Sequence, residues 1–109
     1  MSDIQEMTDA ILRFRDERDW KQFHNAKDIA ISLNVEAGEL LELFLWKSSA
    51  EASRDALKDE LADVFYNALL LAAELDFDVK EIMMQKMKKN AEKYPVEKAK
   101  GSRKKYGEF

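Results

Sequence analysis

The sequence predicts an all-α protein, a four-helix-type bundle, on three observations. Glycine and proline are scarce, at 3 and 1, and a sheet protein of this size would need more turn residues. Apolar residues recur at three- and four-residue spacing, and no stretch alternates apolar with polar as a half-buried strand would. Hydrophobic residues make up 46% of the chain, enough for one real core, and 109 residues is the length of a single domain.

The first helix is expected from about Asp3 to Asp19, capped by Ser2 or Asp3, with Ile4, Met7, Ile11 and Phe14 on one apolar face. A short aromatic connector, Trp20-Lys21-Gln22-Phe23-His24, follows. Asn25 is a good cap for a second helix running to about Trp46. The polar stretch Lys47 to Ser53 separates it from a third helix, about Arg54 to Leu75, and Asp76-Phe77-Asp78 breaks the pattern. Asp78 with Glu81 forms a capping-box-like start for a fourth helix that ends at Pro95. Its Met83, Met84 and Met87 read as core filler. Residues 1–95 thus form the domain, and 96–109 a basic tail that is loose or closes over the site. The third helix is apolar nearly all round between Leu61 and Ala73. Such a helix needs cover on more than one side, and a chain this short has few helices to supply it, so an oligomer built on a dimer is expected.

The absence of cysteine removes disulfides, thiolate catalysis and Cys-type metal sites, and the single histidine removes any site needing two. No apolar run approaches the roughly 20 residues of a membrane span, and the start lacks the basic and apolar regions of a signal peptide. A soluble, cytoplasmic protein without membrane partners is the expectation. Charge is uneven. Residues 1–79 carry 8 Lys/Arg and 18 Asp/Glu, a net of −10, whereas residues 80–109 carry 10 and 4, a net of +6.

The informative feature is a pair of acidic doublets, Glu36-Ala37-Gly38-Glu39 and Glu60-Leu61-Ala62-Asp63. On a helical wheel Ile29, Leu33, Leu40 and Leu43 fall within about 60° of Glu36, and Leu57, Val64 and Leu71 within about 60° of Glu60. Each leading glutamate therefore points into its helix's apolar stripe. Packing those stripes together gathers four carboxylates, and like charges at close range demand a cation. An all-oxygen donor set selects a hard one, Mg²⁺ first and Mn²⁺ second. Gly38 costs its helix about 1 kcal/mol relative to alanine, which a close approach of another helix or a ligand would explain. The plainer alternative is that the four acids make salt bridges at the bundle edge. A di-iron site would want Glu-x-x-His pairs, and His24 lies outside both doublets.

The order of these residues resembles the all-α nucleotide pyrophosphohydrolases of the MazG type. Beyond the two doublets, the stretches 18–24, 36–47 and 89–101 look like the small, single-domain dCTP pyrophosphatase branch. The resemblance implies Mg²⁺-dependent hydrolysis of a nucleoside triphosphate, dCTP or a related or modified deoxynucleotide first, to the monophosphate and pyrophosphate. It also implies dimers or dimers of dimers whose sites draw on more than one chain. Glu36, Glu39, Glu60 and Asp63 would hold the metal and supply the attacking hydroxide. Trp20, Phe23, His24 and Trp46 are candidates for the base pocket, because a flat base stacks on aromatic faces. Asn67, one turn beyond Asp63, and Tyr66 are further substrate candidates. Lys86, Lys89, Asn90 and Lys93 share one face of the fourth helix and suit the outer phosphates.

Two other classes stand beside this reading. One is a nucleic-acid-binding module using Lys98, Lys100, Arg103, Lys104 and Lys105, against which the acidic body argues. The other is a helical interaction protein, which leaves inward-facing carboxylates unexplained.

Overall fold

The computed structural model describes residues 1–108, and Phe109, the end of the expected tail, lies outside them. The helices are α1 (Asp3–Glu17), α2 (Ala26–Glu42), α3 (Arg54–Glu74), α4 (Val79–Lys93) and the single turn α5 (Val96–Ala99). Tight 3₁₀ turns fall at Lys21–Phe23, Ser49–Glu51 and Tyr106–Glu108, and no strand occurs among the described residues. The all-α expectation holds. No described helix is long and apolar enough to cross a membrane.

Each long helix begins where its cap stands. Ser2 Oγ accepts from the Gln5 amide, Asn25 Oδ1 from Asp28, Ser53 Oγ from Ala56, and Asp78 Oδ1 from Glu81. These bonds satisfy amides that have no partner inside the helix. The capping box of α4 is only half made, because the Glu81 carboxylate accepts from Gln85 instead of reaching back.

Residues 1–77 form one compact unit. Its main packing is α2 against α3, with α1 resting more lightly on α3. Ile29, Ala52, Leu69, Leu70 and Ala72 make the buried core. On α3, Phe65 stays 59% exposed.

Helix α2 stops at Glu42, four residues short of the predicted Trp46. The amides of Leu43, Phe44, Leu45 and Lys47 each bond to the carbonyl three residues back, which tightens the chain out of α geometry. Trp46 then takes a φ of +63° and reverses direction. For a bulky residue this is a sterically disfavoured conformation. Asp19 (φ +55°) closes α1 in a similar way, and the amides of Arg18 and Trp20 both bond the Arg15 carbonyl.

The second unit begins at Asp78. Helix α4 buries none of its residues. Met83, Met84 and Met87 are therefore more than half exposed rather than core filler, because no apolar surface covers them in the single chain. The tail carries regular structure. α5 ends, Gly101 takes a φ of +77° that suits glycine, and the chain returns so that the Tyr106 ring meets Tyr94 edge-on at 6.0 Å. The Lys93 ammonium sits 4.9 Å from the Tyr106 ring centroid.

A Cβ added at Gly38 would meet nothing within 4 Å. No close helix approach inside this chain explains the glycine, contrary to one expectation above. Replacing it should relieve the helix of glycine's entropy loss. Gly38→Ala is expected to raise unfolding stability by about 1 kcal/mol, read as a shifted urea midpoint at unchanged slope.

Candidate metal centre

Packing α2 against α3 brings three of the four predicted acids together. One carboxylate oxygen from each of Glu36, Glu60 and Asp63 lies within 4.8 Å of the others. Glu36 and Glu60 are half-buried and Asp63 is exposed, so the group opens to solvent on one side. Oε2 of Glu36 and Oε2 of Glu60 are sealed from solvent and have no hydrogen-bond partner. An orphaned, buried acceptor is costly unless something positive meets it. Salt bridges do not supply that charge, since the one ion pair among the described residues joins Arg15 to Asp16.

The electrostatics agree. The Glu60 carboxyl beside it holds Glu36 above the usual carboxylate range, burial and the charges of Asp63 and Glu60 add to it, and Glu39 opposes it. Glu39 stands outside the trio but touches it. Hydrogen bonding with Glu36 raises its pKa, as do the Glu36 charge and burial. Both carboxyls therefore release their protons less readily than isolated glutamates. All donors are oxygens with no imidazole or thiolate nearby, so the residues fit a hard divalent ion.

Beside the acids lies an aromatic corner. The Phe14 ring meets Trp20 edge-on at 5.7 Å and Tyr66 edge-on at 6.2 Å. The Arg18 guanidinium covers Phe14, 3.6 Å from its centroid, and donates to the Phe14 carbonyl. Burial lifts the Tyr66 hydroxyl above its ordinary pKa, opposed by Arg18 and Arg15 and reinforced by Asp63. Tyr66 therefore stands between the arginines and the acidic trio.

The other predicted site residues are distributed as follows. Trp20 lines the aromatic corner, while Phe23 is largely exposed on the 3₁₀ turn. His24 is half-buried with its Nδ1 sealed and unpartnered. Trp46 is 100% exposed. Asn67 spends its amide donor on the Asp63 backbone carbonyl, 2.9 Å away, one turn back on the same helix. Lys86, Lys89, Asn90 and Lys93 are exposed along α4, in the other unit. Sequence reasoning missed Phe14, Arg15 and Arg18 as neighbours of the site. Their signal was the position of Arg15, four residues after Ile11 beside the apolar stripe of α1.

Comparison with known proteins is consistent with this geometry. Residues 31–109 match the model of the MazG-like family. The chain is 42% identical over 101 residues to dCTP pyrophosphatase 1 of Rattus norvegicus, covering 85% of this chain and 59% of that protein. It is 39% identical over 104 residues to the Homo sapiens protein of the same name, covering 88% and 61%. The chain thus spans about three-fifths of the length of these curated relatives. Its fold superposes on the crystal structure of a pyrophosphatase from Archaeoglobus fulgidus with a TM-score of 0.81 at 34% identity, covering 87% of this chain and 94% of that one. On the family match and on this likeness across nearly the whole of a solved relative, the chain belongs to the MazG-like family.

Proposed function

We propose that the protein hydrolyses a (deoxy)nucleoside triphosphate, dCTP or a modified relative of it first, to the monophosphate and pyrophosphate, in a Mg²⁺-dependent reaction that removes unwanted nucleotides. The observation that carries this reading is the trio Glu36, Glu60 and Asp63 within 4.8 Å, with two sealed carboxylate oxygens lacking partners. The names of the relatives, dCTP pyrophosphatase and pyrophosphatase, support the reaction class and the first choice of base.

Glu36, Glu60 and Asp63 hold the ion. When bound, Mg²⁺ neutralises charge on the phosphate oxygens and makes water a better nucleophile. One of the carboxylates Glu36, Glu39, Glu60 and Asp63 serves as general base. It takes the proton of a water whose oxygen bonds the α-phosphorus, while the bond to the bridging oxygen breaks and pyrophosphate leaves. Trp20 offers a face for the base, with Phe23, His24 and Trp46 as further pocket residues. Tyr66 and Asn67 are further substrate residues, and Lys86, Lys89, Asn90 and Lys93 offer an exposed face suited to phosphate. Residues 1–95 form the hydrolytic domain and 96–109 its basic tail. The exposed apolar side of α3, Phe65 above all, is where a second copy packs, as a dimer or dimer of dimers in the cytoplasm.

The direct test is a panel of dNTPs and NTPs with 5-methyl-dCTP, in Mg²⁺ or EDTA, with products resolved. Monophosphate and pyrophosphate should appear with Mg²⁺ and vanish with EDTA. Glu36→Gln should lower turnover by at least about 100-fold, beyond the effect of losing an outer-sphere contact. No turnover of any nucleotide, with a melting temperature indifferent to Mg²⁺, would return the acids to a structural role.

The same carboxyls set a pH dependence. Glu36 and Glu39 have folded pKa values raised above 4.5. The folded state therefore binds more protons than the unfolded one just above that pH. Metal-free stability is then greatest below about pH 4.5 as far as these groups are concerned, and declines as pH rises through their folded pKa values. Thermal melts should show Mg²⁺ restoring that loss near neutrality and doing nothing at acid pH. In EDTA at neutral pH, Glu36→Gln should melt higher than the parent although it is inactive. For the assembly, light scattering should report a mass of two or four chains, and Phe65→Asp should shift it toward one.

A further inference from the structure

Helix α4 is 15 residues long, and every residue from Lys80 to Lys93 is exposed. A lone helix of roughly 12–15 residues is marginal in water, and packing of one face is what holds such a helix in a protein. The face is present. On a helical wheel Val79, Met83, Met87, Ala91 and Met84 fill one arc of about 140°, interrupted only by Lys80 in the first turn. All three methionines are more than half exposed. Lys86, Lys93 and Lys89 follow in that order along one edge of the arc.

Helix α1 offers the matching surface. Ile4 and Met7 are exposed on it, and Asp3 and Glu6, also exposed, line the edge beside them. Before Arg13 the helix carries three acids, Asp3, Glu6 and Asp9, and no base. From Lys86 to Lys93, α4 carries four lysines against one acid, Glu92. In both helices the charged edge lies on the same rotational side of the apolar face. Packed antiparallel, such edges meet; packed parallel, they fall on opposite sides. Both helices have 15 residues, so an antiparallel pairing in end-to-end register sets the acidic first half of α1 against the basic second half of α4. It also brings opposite ends of the two helix dipoles together. The other exposed faces fit less well. Phe65 of α3 has exposed Arg54 and Lys58 within about 20° of it on the wheel, and an antiparallel pair of α4 helices would set lysine against lysine.

We propose that α4 of one copy docks antiparallel on α1 of a second copy, its methionines against Ile4 and Met7 and its lysine edge, Lys86, Lys89 and Lys93, against Asp3 and Glu6. Within one chain both surfaces stay exposed, which is why the partner is a second copy. The exchange is reciprocal, each α1 receiving the other copy's α4 about a two-fold axis. This contact is separate from the Phe65 face and does not depend on the proposed reaction.

The test uses two charge-reversed full chains, one with Asp3→Lys and Glu6→Lys, the other with Lys89→Glu and Lys93→Glu. Self- and cross-association are read by titrating a fluorescently labelled chain with an unlabelled one. Each reversed chain should associate with itself about 100-fold more weakly than the parent does, since lysine then meets lysine or acid meets acid. Mixed, the two should bind each other to within about threefold of the parent's affinity, because only that pairing restores opposite charges at both contacts. The Phe65 face is common to every pairing and cancels from the ratios. A contact made within one chain gains nothing from mixing, so cross-association no tighter than self-association would overturn the proposal. Equal affinity in all pairings would also overturn it and leave the lysines to phosphate. A parent that stays a single chain would overturn it outright. Should reversal cost either chain its helical signal, Met83→Gln with Met87→Gln, which changes only exposed side chains, is read instead. That chain should self-associate about 10-fold more weakly, and self-association equal to the parent's would overturn the docking.

Discussion

Like charges held in an apolar seam are the constraint on which the rest of the structure depends. Helix α2 must bury Ile29 and α3 must bury Leu69, Leu70 and Ala72, and the seam that does so carries Glu36 and Glu60 with it. Hydrophobic packing therefore brings carboxylates to within 4.8 Å of one another. The fold tolerates this arrangement because the seam remains open along Asp63. A protein selected only for stability would replace these acids by leucines. Their presence is what supports the proposal of a metal site there.

The ends of the helices carry the second part of the design. Asp19 and Trp46 both adopt left-handed backbone conformations without glycine, and each marks the point where an aromatic residue leaves a helix. At Asp19 the reversal turns Trp20 back onto Phe14 and builds a corner against Tyr66 of α3. At Trp46 it leaves an indole wholly in solvent. Burial of this indole gives nothing to the stability of the single chain. Phe65 and the methionines of α4 are likewise more than half exposed.

The charge distribution follows the same division of labour. The acids concentrate in the unit that gathers the carboxylate trio, and the bases in the unit that begins at α4. Only one ion pair forms among the described residues, so the opposite charges are left available to ligands and partners rather than spent on holding the chain together. The buried core among the described residues is small, five apolar residues and one arginine.

Helix number, order and starting points were legible in the residues, because capping chemistry and apolar spacing act within one or two turns. Ser2, Asn25, Ser53 and Asp78 begin the helices as their side chains require. The inward direction of Glu36 and Glu60 was legible too, since a helical wheel needs no knowledge of the partner helix. The end of α2 was not: the apolar pattern continues through Leu45, and only the turn that sends Trp46 outward stops the helix. Nor did the pattern separate Glu39 from the trio. Side-chain reach across an interface depends on helix crossing and depth, which spacing along one chain does not encode. Arg15 is the clearest case. As a letter it is one more basic residue beside the stripe of α1, and only the tertiary structure, in which α1 packs on α3, buries its side chain. Local chemistry decided which elements form and which residues face inward, whereas long-range packing decided which of those residues meet.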